Sequence, residues 1–124
     1  MDRQSVVASL SALAHCGRLD IFRLLVQAGR NGVPAGEIAR SLEVMPNALS
    51  ANLKVLSHAG LIGSRREGRS IIYTADYAAM SGVLGFLMED CCGGDASICA
   101  PLADITNRAA CCAADAPKHL EDAR

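Results

Sequence analysis

Tryptophan is absent from this chain, and only two tyrosines and two phenylalanines stand among its 124 residues. So few aromatic rings exclude a large aromatic core or a β-sandwich; much of the hydrophobic half of the composition is alanine, which suits thin helical packing. Long apolar runs are missing too. Asp, Glu or Arg interrupts each hydrophobic stretch before it reaches the roughly 20 residues of a membrane span. The chain opens Met1-Asp2-Arg3 without an apolar block and cleavage site, so a cytoplasmic protein with no membrane partner is expected. No pairing of nucleophile and base, no phosphate-binding glycine loop and no supported carboxylate pair is found, so an enzyme is not expected.

Charge of one sign is also lacking: 12 Lys and Arg meet 13 Asp and Glu. That balance excludes a globally basic nucleic-acid binder but leaves room for a local basic surface. Residues 1–89 carry nine basic against seven acidic side chains, and residues 90–124 carry three against six. Arg65, Arg66 and Arg69 concentrate the positive charge within five positions.

Cysteine, by contrast, is abundant and uneven. Five of the six cysteines fall in the last third, led by Cys91-Cys92-Gly93-Gly94-Asp95-Ala96-Ser97-Ile98-Cys99, with Cys111-Cys112 following. In a reducing compartment such a cluster points to ion binding or redox chemistry rather than a disulfide framework. Glycines let the backbone fold back so that several thiolates converge on one soft ion. Cys16 stands alone before the second helix and reads as a small buried residue.

Apolar periodicity orders the rest. Val6, Leu10, Leu13 and Ala14 mark a first helix over residues 5–15. Gly17 interrupts, and a second helix carries Leu19, Phe22, Leu24, Leu25 and Val26 to a C-cap at Ala28-Gly29. Asn31 to Pro34 is a turn, and a short helix follows through Leu42, burying Ile38, Ala39 and Leu42. A helix over 47–59 buries Leu49, Leu53 and Leu56 and turns Asn47, Ser50, Ala51, Lys54 and His58 outward. Residues 61–66 and 70–74 are two short strands joined by Glu67-Gly68-Arg69, a hairpin with a basic tip. Asp76 caps a last helix, from Tyr77 to about Glu89, with Met80, Val83, Leu84, Leu87 and Met88 as a wide apolar stripe. So oily a terminal helix on a small domain calls for a partner, most simply a second copy. Beyond Cys91 a short tail is expected, with one helix around 101–110.

This is the element order of an α+β winged helix-turn-helix, mostly helical with a two-stranded hairpin as its wing. Residues 1–90 are read as the DNA-binding and dimerisation domain, and residues 91–124 as a cysteine-rich inducer-binding tail. The second helix of the pair enters the major groove while the wing lays arginines against phosphate. The candidate DNA-binding residues are Asn47, Ser50, Ala51, Asn52, Lys54, His58, Arg65, Arg66 and Arg69.

The run Asn47-Ala48-Leu49-Ser50-Ala51-Asn52-Leu53-Lys54-Val55-Leu56-Ser57-His58-Ala59-Gly60-Leu61-Ile62, then Arg65-Arg66-Glu67-Gly68-Arg69 and Tyr73, resembles the ArsR family of bacterial metalloregulators. Ala12-Leu13-Ala14 and Arg18-Leu19-Asp20-Ile21 match the family around the start of the second helix, and the likeness spans about residues 5–90. It departs at Ala51 and Asn52, where many members carry Gln or Arg and then His, and residues 45–60 hold no cysteine of the kind some arsenite sensors place in the reading helix. The resemblance implies a homodimeric repressor on an inverted-repeat operator, needing no cofactor to bind DNA and released by its inducer. The cluster after the last helix is similar to that of arsenite-responsive members.

Arsenite takes three thiolates in a pyramid, whereas structural zinc prefers four ligands at wider spacing. Cys91, Cys92 and Cys99 therefore form the candidate site for trivalent arsenic, with antimonite as a mimic. Cys111 and Cys112 either add ligands or stay idle. Rival readings are a cadmium, lead or zinc sensor using these extra thiols, a thiol redox switch, and a metalloid carrier with a vestigial DNA-binding fold.

Overall fold

The computed structural model describes residues 2–88. Its elements are α1 (Arg3–Leu13), α2 (Cys16–Ala28), a 3-10 turn (Gly29–Asn31), β1 (Val33–Pro34), α3 (Ala35–Leu42), α4 (Pro46–His58), β2 (Ile62–Glu67), β3 (Ser70–Ala75) and α5 (Tyr77–Met88). The chain divides into two units, Met1–Phe86 and Leu87–Arg124; the first is described here, with Leu87 and Met88 only as the end of α5. The expected helix at 101–110 and the tail cysteines lie outside the described residues.

Local chemistry sets the helix starts. Asp2 precedes α1 in extended conformation, and its Oδ1 accepts from the Ser5 amide at 2.8 Å. Those hydrogen bonds from Ser5 hold the Asp2 carboxyl below the usual aspartate range. The break between the first two helices lies at Ala14-His15, not at Gly17. His15 caps α2, its Nδ1 accepting from the Gly17 amide at 3.1 Å, so Gly17 is a first-turn residue of the helix. Arg18 Nε donates to the Ala12 carbonyl at 2.6 Å, satisfying the end of α1 across the corner. Cys16, expected to be buried, is exposed at the first position of α2. Its exposure follows from how α2 is turned on the core, which composition alone does not reveal.

The core gathers Ile21, Phe22 and Leu25 of α2, Ile38 of α3, Leu49, Leu53 and Leu56 of α4, and Leu61, Ile62 and Ala75 at the root of the hairpin. Ala39 and Leu42, expected to be buried with Ile38, pack against it half-buried. Burying each large aliphatic side chain stabilises by about 1.5–3 kcal/mol before the entropy of ordering is subtracted.

The hairpin is part of a three-stranded antiparallel sheet in the order β1-β3-β2, one strand more than expected. The extra strand is only Val33 and Pro34, paired with Tyr73 and Ile72. Pro34 offers no amide to a ladder and accordingly sits on an edge. Strands β2 and β3 pair from Ile62↔Ala75 out to Glu67↔Ser70, and Gly68 at φ +63 opens a two-residue loop.

Helix α5 begins as expected: Asp76 Oδ1 accepts from the Ala79 amide at 2.9 Å. Tyr77 donates its hydroxyl to the Val26 carbonyl at 2.8 Å, tying α5 to α2. Of the wide apolar stripe expected on it, Val83 is buried, and Leu84 and Leu87 are 43% and 53% exposed. No helix among the described residues is long and apolar enough to cross a membrane.

Candidate nucleic-acid interface

Helices α3 and α4 are joined by three residues, Glu43, Val44 and Met45. Glu43 takes the left-handed conformation (φ 53, ψ 50) that lets its amide close the last turn of α3 on the Ala39 and Arg40 carbonyls. Met45 then extends the chain and Pro46 starts α4, where its missing N–H costs nothing. This short connection sets α4 across α3, the arrangement in which a second helix is presented to a groove.

Leu49, Leu53 and Leu56 hold α4 in place from beneath. Asn47, Ser50, Ala51, Lys54 and His58 are all exposed on its other side, as the periodicity requires. Asn52 differs. It is half-buried, and its Nδ2 lies 3.2 Å from where a β-carbon on Gly17 would stand, so its amide faces the start of α2. The absence of a side chain at Gly17 lets α4 approach α2 closely there.

The three hairpin arginines also divide. Arg65 Nε pairs with Glu67 at 2.5 Å, and its guanidinium donates to the Asn31 carbonyl at 2.7 Å, bracing the hairpin against the segment that follows α2. Arg65 and Glu67 share a face because they are two residues apart on one strand. Arg66 and Arg69 are exposed and form no ion pair among the described residues. The only carboxylate on the hairpin, Glu67, is thus engaged by Arg65, leaving two uncompensated cations at the tip. Lys54 on α4 is a third exposed cation that forms no ion pair among the described residues.

Sequence reasoning misses Met45, which is 74% exposed at the N-cap of α4, and Val55, 39% exposed further along it. The i, i+3, i+7 spacing of Ala48, Ala51 and Val55 is the signal that could have found them. No three His, Cys, Asp or Glu side chains come together as a metal site among the described residues. Cys91, Cys92, Cys99, Cys111 and Cys112 lie outside them.

Residues 13–65 match the helix-turn-helix domain family HTH_20. Among curated proteins, the chain is similar to the HTH-type transcriptional regulator YgaV of Escherichia coli, 30% identical over 72% of this chain and 88% of that protein. It is also similar to the transcriptional activator HlyU of Vibrio cholerae, 31% identical over 65% of this chain and 72% of that protein. Among solved structures, an ArsR-like transcriptional regulator from Rhodococcus sp. RHA1 superposes with a TM-score of 0.64 at 27% identity, covering 78% of this chain and 89% of that one. The homodimeric winged helix-turn-helix DNA-binding domain from Mycobacterium bovis gives 0.56 at 29% identity, covering 70% and 81%. Reduced HlyU from Vibrio cholerae N16961 also gives 0.56 at 29% identity, covering 68% and 86%. These relatives are regulators of transcription, not enzymes, and the solved structure from Mycobacterium bovis is described as a winged helix-turn-helix. The chain belongs to the ArsR family of winged helix-turn-helix, DNA-binding transcriptional regulators.

Proposed function

We propose that this regulator is a homodimeric repressor that binds an inverted-repeat operator and releases it on capturing trivalent arsenic through Cys91, Cys92 and Cys99. The observation that carries the reading is the spacing of those three thiols across Gly93 and Gly94, directly after the helix that opens at Tyr77, in a chain of this family. Three thiols condense with arsenous acid to give three As–S bonds and three waters, a count the cluster meets without a histidine. Large apolar side chains left exposed on the first and last helices, Val7 and Leu10 on α1 and Leu84 on α5, support self-association. The homodimeric domain from Mycobacterium bovis supports it too. Coupling between the inducer and DNA is expected at about 1–3 kcal/mol, or roughly 5- to 150-fold in affinity.

The test is fluorescence anisotropy on a labelled fragment of the gene's own upstream DNA, titrated with arsenite under reducing conditions. Wild-type protein should dissociate. A variant with Cys91, Cys92 and Cys99 changed to serine should bind DNA equally and ignore arsenite; induction that survives in this variant sinks the three-thiol site. Loss of the response on changing only Cys111 or Cys112 would favour a four-thiolate divalent metal instead. A promoter–reporter assay decides the sign of regulation, since one relative is an activator.

A second reading, a thiol redox switch, is favoured by the adjacent pairs Cys91-Cys92 and Cys111-Cys112 and by a relative whose reduced form has been solved. In it two thiols become a disulfide, passing two electrons and two protons to peroxide or diamide. Release by either oxidant with no added ion would establish this version.

A further inference from the structure

The exposed side of α4 has two halves of different chemistry. At about 100° per residue, Asn47, Ser50, Lys54 and His58 occupy one half, all polar. Ala48, Ala51 and Val55 follow one another at i, i+3 and i+7 along the other, and all three are exposed. Met45, the N-cap residue just before the helix, adds a fourth apolar side chain at this end, 74% exposed. None of these four belongs to the core or packs against it. Val55 is β-branched, so it contributes less to an exposed helix face than a straight side chain would.

We infer that this regulator reads thymine methyl groups, with Met45, Ala48 and Ala51 as specificity-determining residues and Val55 flanking them. The inference rests on the reading of α4 as the groove-binding helix and says what that helix recognises. Side chains without donors or acceptors cannot answer the polar edges of a base pair. The one apolar feature a major groove displays is the C5-methyl of thymine, for which alanine and similar groups are the fitting contact. Residues in the first half of the helix reach furthest toward base edges, and Met45, Ala48 and Ala51 lie there. Asn47, on the polar half of the same turn, has the amide that pairs with the N6 and N7 of adenine. Asn47 and the apolar half therefore favour A·T pairs. Exposed Lys54 on the same helix, together with Arg66 and Arg69, which form no ion pair among the described residues, supports DNA rather than an apolar protein as the partner.

Full-length protein is first used to select binding duplexes from a random pool at low salt. In the selected duplex, single thymines are then replaced by deoxyuridine, which removes the methyl and nothing else. Affinity should fall about fourfold for each contacted methyl, the effect of leaving one such group unburied. Met45→Ala, at an exposed position that the fold does not use, should abolish the sensitivity at one thymine; Ala51→Gly should do so at another. Binding that is indifferent to deoxyuridine at every position overturns the inference while leaving DNA binding intact. Failure to select any duplex overturns the groove-binding reading of α4, and the inference with it.

Discussion

At Gly32 the chain has no room for a side chain. A β-carbon there would stand 2.6 Å from the Tyr73 carbonyl oxygen and 2.7 Å from methyl groups of Ile72 and Thr74. Its backbone (φ 77, ψ −174) is also in a region that only glycine enters readily. Gly60 has nearly the same φ, +78, but open space around it. Gly32→Ala should therefore lose about 3 kcal/mol, overpacking added to backbone strain, and Gly60→Ala only about 1 kcal/mol. Urea denaturation checks this, and equal losses would refute the steric account of β1 docking on β3. Tyr77 yields a prediction with a pH signature. Burial raises its pKa above 10.0, opposed by the charge of Arg30 and the Gly29 backbone. A group whose folded pKa is raised contributes stability that is whole below pH 10.0 and is lost as pH rises through the folded value. Tyr77→Phe should cost about 1 kcal/mol at neutral pH, from the hydrogen bond to Val26. It should also flatten the alkaline decline of stability, read in thermal melts from about pH 8 to about pH 11, a window that spans phenol ionisation.

Among elements, the hairpin separates bracing from binding within one short sequence. Arg65 is held by Glu67 and Asn31, so Arg65→Ala should loosen the hairpin and lower the melting temperature. Arg66 and Arg69 form no ion pair among the described residues, and alanine at either should leave melting unchanged. Each should instead weaken DNA binding across all sequences and reduce the salt slope by about 0.9 for every phosphate that is no longer neutralised. Plots of log affinity against log salt for the three variants decide the matter. Identical slopes for wild type, Arg66→Ala and Arg69→Ala would remove the tip from the interface. The family resemblance, not helical spacing, groups Asn52 with the other candidate DNA-binding residues, and the spacing alone leaves it off the outward face. The start of α2 lies against it, and Gly17 admits the amide.

For the whole molecule, the fate of exposed leucines is the leading question. Leu84 lies 43% exposed on α5 beside buried Val83, so replacing it with a charge disturbs little inside one chain. Leu84→Glu should retain the melting profile of a folded monomer. It should shift sedimentation from dimer to monomer and weaken binding to an inverted repeat far more than to a single half-site. A wild type that sediments as a monomer at micromolar concentration and binds half-sites and repeats alike would overturn the dimer reading.

Periodicity and turn residues by themselves determined α3, α4, the hairpin and α5, because each is specified by interactions a few residues apart. The Leu49, Leu53 and Leu56 stripe needs only helical spacing to face inward, and Gly68 needs only its own φ to turn the hairpin. The three thiols around Gly93 and Gly94 lie outside the described residues, and their use as one ion site is the proposal put to test above. Tertiary structure alone decided the rest. Val33 and Pro34 are too short to announce a strand and become one only by pairing with Tyr73 and Ile72, about forty positions on. The corner before α2 is hidden from the sequence because glycine is a common breaker, whereas the His15 imidazole and the Arg18 guanidinium close it in space. Arg65, Arg66 and Arg69 are alike as letters. Only the approach of the segment after α2 makes the first a brace and sets it apart from the other two, because a charge is defined by what stands within a few ångströms of it.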